Sequence, residues 1–206
     1  MKNFNKFHVI AHRGSPSEYP ENTIESFKRA VEIHENCMLE MDVWGSSDGF
    51  IVVMHDELLN SKTNGQGSVT NMTLDELKKL DIGYNISFDN GNSFPFINKG
   101  YKIPLFNNVL LQFPKNMMSV DIKYNSIPFA SDVIDLIKKH NSVGRIVVGS
   151  FHNRIIKWIR KNHPDVITAF SKNEILKFLI FQRLRLMKFY YPKDKILSLP
   201  EFLNKF

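Results

Sequence analysis

The stretch "VIAHRGSPSEYPENTIESF", residues 9–27, decides the fold. Val9, Ile10 and Ala11 open it as a buried strand, and the strand stops on His12, Arg13 and Gly14 with two prolines close behind. A helical pattern follows from Thr23 to about Glu35, with Ile24, Phe27, Ala30 and Val31 on one face. Asn22, with Glu25 three residues on, has the spacing of a capping box. A strand feeding a helix is one β/α unit. A core strand that ends on an imidazole and a guanidinium is explained if its end is catalytic.

The same unit recurs along the chain. "CMLEMDVW" (37–44) and "GFIVVMHD" (49–56) read as strands separated only by "WGSSDG", too short for a parallel crossover. A hairpin turning at Asp48–Gly49 is therefore expected, and it sets His55 across from Asp42. Further strands are expected at 118–123, 145–152 and 165–170, and "KILSLP" (195–200) is a last candidate. Helices are expected at 130–140, 153–162 and 173–191. Residues of about 57–103 are rich in Asn, Gly and Ser around one short helix, Thr73–Leu80, and read as a loop-rich insertion in a single domain spanning 1–206. Strands alternating with helices argue a parallel α/β architecture.

Strand period places Glu40 and Asp42 on one face and Leu39, Met41 and Val43 on the other. In "MSVDIK", Asp121 and Lys123 share a face opposite Val120 and Ile122. Polar groups at the carboxyl ends of successive strands mark the mouth of a β/α barrel. Two carboxylates roughly 7 Å apart along a strand inside a barrel require a counter-charge. Hard oxygen donors suit one divalent cation, Mg²⁺ or Ca²⁺. Two histidines, three carboxylates, an arginine and a lysine in one cavity suit phosphodiester cleavage, with one histidine taking a proton and the other giving one.

Bulk composition narrows the class. Hydrophobic residues at 43% and charged residues at 23% are those of a globular domain. The +6 net charge invites a nucleic-acid reading, but the basic residues are spread along the chain and no recognition motif accompanies them, so no nucleic-acid partner is expected. The lone Cys37 cannot form an internal disulfide. Only seven residues precede the first strand, too few for a signal peptide, and a cytoplasmic location is expected. The basic, apolar stretch 172–193 suits either helix burial or peripheral membrane contact. His8, His34, His140 and His163 sit at the strand's start or at helix ends, and Cys37 reads as a small buried residue. His152, at a strand end, stands closer to the expected mouth.

The sequence resembles the glycerophosphodiester phosphodiesterase family. "HRGSPSEYPENTIESFKRAV", "LEMDVWGSSDGFIVVMHDELL" and "TNGQGSVTNMTLDELKKLDIG" match its signatures in order. "KIPLFNNVL", "VDIKYN" and "VVGSFH" continue the match, and "EILKFLIFQRL" to "LSLPE" is similar to a bacterial branch. The resemblance implies a TIM-type (β/α)₈ barrel of the phospholipase-C-like kind. It also implies metal-dependent hydrolysis of glycerophosphodiesters to sn-glycerol 3-phosphate and an alcohol. His12 and His55 would be the acid–base pair, in either order; Glu40, Asp42 and Asp121 the metal ligands; Arg13 and Lys123 the phosphate contacts; Glu21 and Asn22 would shape the mouth.

The sequence departs from the family pattern in three places. Asp121 stands where many members have Glu. Leu105 replaces a threonine, beside Asn107 and Asn108 in place of acidic residues. The chain ends at "LSLPEFLNKF", without the family's final helix and last strand, so the expected barrel is incomplete, with an open edge that a partner or oligomer would cover. Two alternatives follow: a remnant that binds metal or phosphate without turnover, and a sphingomyelinase D-like phospholipase. The lone cysteine counts against the second.

Overall fold

A computed structural model describes residues 9–192 and Ile196. Its frame is a parallel sheet of β1 (Ile10–His12), β2 (Met38–Gly45), β4 (Met118–Ile122), β5 (Ile146–Gly149) and β6 (Ile167–Thr168), in that spatial order. The short β3 (Ile51–Val53) runs antiparallel against the top of β2. Helices return the chain between parallel strands: α1 (Ile24–Ile33), α3 (Phe106–Gln112), α4 (Ile127–Lys139), α5 (Asn153–Asn162) and α6 (Lys172–Arg183). The four-residue α2 (Leu74–Leu77) lies in the segment after the hairpin. Neighbours in space that are successive β/α units form the wall of a TIM-type barrel.

The wall's two faces differ as strand alternation demands. Leu39, Met41, Val43, Val120, Ile122 and Val148 face outward and are fully buried under Phe27, Phe106, Val133 and Ile159 of the helices. On the inner face, Met38, Val147 and Ala169 form a small apolar floor. Above it, in register, stand Glu40 opposite both His12 and Ser119, and Asp42 opposite Asp121. The acidic groups stand toward the strands' carboxyl ends, where the mouth lies.

Residues 57–103 build a second apolar cluster from Leu59, Val69, Leu74, Leu77, Ile82 and Ile103, seated on Val52 and Met54 of the hairpin. α2 is closed by a capping box between Thr73 and Glu76, and Asp48 of the hairpin turn accepts the Leu74 N–H at 3.0 Å. The segment is thereby fixed to one rim of the mouth.

The structure corrects several local expectations. The first strand is not buried: Val9 is 41% and Ile10 57% exposed, because β1 lies at the edge of the sheet. The hairpin pairs Val43 with Val53 and Gly45 with Ile51, so paired numbers sum to 96, and Met54 rather than His55 bonds to Asp42 (Met54 N to Asp42 O, 3.0 Å). The cause is a three-residue loop, Ser47–Gly49, closed by Ser46 N to Phe50 O at 2.8 Å, with Gly49 at φ +86°. The cap of α1 is Thr23, whose side chain accepts the Ser26 N–H; Asn22 sits at φ +59° and turns elsewhere. α3 is an unforeseen helix, and its first flanking residue, Leu105, makes no side-chain cap. α6 stops at Arg183, and only its Ile175 is buried. Of the last strand candidate, Ile196 bridges Ala169 in parallel, and the rest lies outside the described residues, as does His8.

Candidate active site

The site begins with a forced backbone. After β1 the chain turns on Arg13 at φ +58° and Gly14 at φ +92°. Gly14 has no alternative: a Cβ there would lie 2.7 Å from the Ser26 carbonyl carbon. A non-glycine residue in the left-handed region costs about 1 kcal/mol or more, and the surroundings hold Arg13 there. Its N–H reaches the Glu40 carboxylate at 3.0 Å, and its carbonyl accepts the Asn22 N–H at 3.0 Å and the Ser26 hydroxyl at 3.2 Å.

That turn lays the Arg13 guanidinium across the mouth. Its Nη1 donates to Glu21 at 3.2 and 3.3 Å, and its Nε stands 3.5 Å from Asp42 Oδ2. Nε is buried and makes no hydrogen bond of its own. Asp42, 2% exposed, accepts Asn22 Nδ2 at 3.0 Å and pairs with Lys123 Nζ at 2.9 Å. Lys123 also meets Asp121 Oδ2 at 2.6 Å. Burial opposes the ammonium's charge, but Asp121 and Asp42 outweigh it and raise the lysine's pKa above its ordinary value. Two cations thus flank one buried carboxylate.

Glu40 is the counterpart. Burial first, and then the neighbouring Asp42, push its pKa up to about 8, against the opposing pull of the Arg13 N–H and charge. The cations of the protein leave this carboxylate without a full counter-charge. Among the described residues no three acidic, histidine or cysteine side chains converge as a ready cation cage, because Lys123 stands between Asp42 and Asp121. The donor chemistry nonetheless fits a hard divalent ion: three carboxylates on one face, one of them short of positive charge.

The histidines flank this centre. His12 is 67% exposed, with Nε2 3.9 Å from Glu40. Its partial burial, and then Arg13, hold its pKa below 6.5, and His55 is close enough to act in the same direction. His55 follows β3, beyond the paired residues, and is held twice: Nδ1 lies 2.7 Å from Asp56 Oδ1, and Trp44 Nε1 donates to its carbonyl at 3.1 Å. A carboxylate at this distance favours the tautomer with the proton on Nδ1 and leaves Nε2 free to accept one. So the structure gathers His12, Arg13, Glu40, Asp42, Asp121 and Lys123, with His55 near enough to His12 to act on it electrostatically, despite the shifted hairpin register.

Asn22, expected to shape the mouth, is fully buried and bonds Asp42. Sequence reasoning did not foresee several other supports. Asp56 directly follows His55, yet only the fold shows it on the ring. His152 braces the lysine's backbone, with Nε2 3.0 Å from the Lys123 carbonyl. Phe151 lies 5.5 Å from the Lys123 ammonium. Elsewhere His34, His140 and His163 cap helix ends, and Cys37 is buried, which raises its thiol pKa.

Known proteins share this arrangement of elements. Over 163 residues the chain is 37% identical to a glycerophosphodiester phosphodiesterase of Caldanaerobacter subterraneus, covering 77% of this chain and 63% of that one. It is 29% identical over 195 residues to a human lysophospholipase D, covering 93% of this chain and 60% of the relative. The chain therefore spans somewhat less than two thirds of these relatives' length. Among solved structures, an Oleispira antarctica phosphodiesterase in complex with the product sn-glycerol-3-phosphate superimposes with a TM-score of 0.67 at 25% identity, covering 84% of this chain and 72% of that one. Residues 12–180, from the histidine that ends β1 through most of α6, match the glycerophosphoryl diester phosphodiesterase family, and the chain belongs to it.

Proposed function

We propose that the protein hydrolyses glycerophosphodiesters to sn-glycerol 3-phosphate and an alcohol. The observation that carries this reading is the pair of cations, Arg13 and Lys123, both held against the buried Asp42. The Arg13 guanidinium and the Lys123 ammonium supply positive charge and N–H donors for the non-bridging oxygens of a phosphodiester. His12 and His55 exchange protons with the attacking water and the leaving alkoxide, and Asp56 keeps His55 in the orientation that presents Nε2. Glu40, Asp42 and Asp121 would hold one Mg²⁺ or Ca²⁺. Bound there, the ion would polarise the phosphate and lower the pKa of the attacking oxygen. Arg13 turns its backbone N–H toward Glu40 and its side chain toward substrate, so one residue serves both halves of the site.

The test is release of glycerol 3-phosphate from glycerophosphocholine and glycerophosphoglycerol with Mg²⁺, Ca²⁺ or EDTA. Metal-dependent release is expected, reduced about 10²–10⁴-fold in His12→Ala and in His55→Ala. Folded protein that binds metal and releases nothing would support the alternative of a non-catalytic binding remnant.

A second substrate reading, lysophospholipid in place of a soluble diester, is favoured by the surface of α6 and the turn after it. Leu176, Ile180, Leu184, Met187 and Phe189 are all exposed there among Lys172, Lys177, Arg183, Arg185 and Lys188. Such a surface suits peripheral contact with an anionic membrane. No helix among the described residues is long and apolar enough to cross one. The lone, buried Cys37 suits a reducing compartment, and we place the protein in the cytoplasm.

A further inference from the structure

Beside the acidic centre lies a hollow of about 240 Å³ lined by Glu21, Lys62, Asn85 and Phe88, with Pro16, Ile86 and Ser87. It is one guanidinium away from the chemistry: Arg13 bonds Glu21 on the hollow's wall and faces Asp42 on its other side. Its far wall comes wholly from the segment after the hairpin. Resting on the hydrolase reading above, we infer that this hollow holds the alcohol half of the diester, and that Lys62 makes it select a neutral polyol or anionic alcohol over a quaternary ammonium.

The charge balance of the hollow decides the class. Glu21 is the only acidic residue lining it, and that carboxylate already accepts both bonds from Arg13. Lys62 Nζ lies 3.9 Å from Glu21, beyond a hydrogen bond, and is one-third exposed. Glu21 is committed to Arg13, so Lys62 lacks a hydrogen-bonded counter-charge on the hollow's wall, and the nearest further carboxylate that acts on it, Asp56, is held by His55. A trimethylammonium placed here meets an ammonium with no uncommitted anion. Phe88 does present an aromatic ring, but it is 57% exposed, and a cation–π contact at an exposed site is weak.

Hydrogen bonding points to the same class. Asn85 spends its Nδ2 on the carbonyls of Asn60 and Thr63, at 2.8 and 3.3 Å, so Oδ1 is the atom left to accept from a hydroxyl. Lys62 can donate to a hydroxyl or to an anionic oxygen. A hollow of this size accommodates a glycerol-sized group. Glycerol, or an alcohol bearing a further acidic group, meets each of these conditions.

The experiment is calorimetric titration of the purified chain with glycerophosphoglycerol and with glycerophosphocholine in Mg²⁺. The two ligands share the glycerol and phosphate and differ only in the alcohol. The ratio of their dissociation constants on one preparation is unaffected by the fraction of folded protein. The wild type is expected to bind the glycerol diester about fivefold tighter, Lys62→Arg to keep that ratio, and Lys62→Glu to reverse it. A ratio that Lys62→Glu leaves unmoved, a wild type that favours choline, or a wild type that binds neither ligand would overturn the inference. Turnover is measured in parallel: an intact binding ratio without hydrolysis removes the hydrolase reading and leaves the subsite standing.

Discussion

Asp56 and Glu40 carry roles that only their surroundings assign. Asp56 touches no substrate position; it acts through the ring of His55, with 2.7 Å between Oδ1 and Nδ1. Asp56→Asn would let the imidazole adopt either tautomer, and kcat is expected to fall about 10–100-fold with KM little changed. A structural defect would move both constants, so the split between them is the check. Glu40 supports a prediction about pH. Its pKa is raised from 4.5 to about 8, so the fold without metal binds a proton that the unfolded chain releases above 4.5. The contribution of the protonated group to stability is therefore full below pH 4.5, and it is lost as pH rises through about 8. The size is on the order of a few kcal/mol. A divalent ion would supply the missing charge, so the rise in Tm on adding Mg²⁺ or Ca²⁺ should grow between pH 6 and pH 8. Glu40→Gln should flatten the pH dependence and remove the metal-induced rise. A metal effect on Tm that is the same at both pH values in the wild type would refute the role of Glu40.

At the scale of elements, the turn after β1 is the part on which the site depends most. Gly14→Ala would force a Cβ to within 2.7 Å of Ser26 backbone at a φ of +92°, displacing either the turn or α1. A loss of roughly 2–4 kcal/mol in a urea melt is expected, with activity falling further because Arg13 loses its seat. The outward and inward faces of β2 and β4 were legible in the sequence, since a period of two needs no knowledge of partners. Glu40, Asp42 and Asp121 could be placed on one face for that reason. The hairpin register was not legible. "SSDG" admits a two-residue or a three-residue loop, and only the bond between Ser46 and Phe50 selects the longer one. Asn22 was misread because asparagine is a good cap in any local reading, and its contact with Asp42 crosses 20 residues. α3 left no signal because Leu105 offers no capping oxygen. α4 began earlier than its apolar spacing suggested because Ser126 caps it and Pro128 fits its first turn. The hollow beside Lys62 is assembled from loops, which carry no periodicity at all.

At the scale of the whole molecule, the sheet has two different edges. β6 carries the parallel bridge from Ala169 to Ile196, whereas β1 has β2 on one side and, among the described residues, no strand on the other. The exposed side is apolar: Val9 is 41% and Ile10 57% exposed, and Ile33 at the end of α1 is 60% exposed. An uncovered strand with apolar side chains is a template for pairing with another chain. In a parallel barrel wall the strand that fits there runs in the direction of β1 and ends beside His12, so whatever covers the edge also borders the mouth. We expect the purified chain to associate as its concentration rises, with sedimentation velocity showing species larger than a monomer. Val9→Lys should suppress that association, because a charge on an edge strand disfavours pairing while leaving the groups around Asp42 in place. Cover of this edge would also order His12, whose side chain is 67% exposed, so activity per chain should rise with concentration in the wild type and stay flat in Val9→Lys. A chain that sediments as a monomer throughout, with Val9→Lys indistinguishable from it, would show that β1 is stable with its edge open. The exposure of His12 would then belong to the working site.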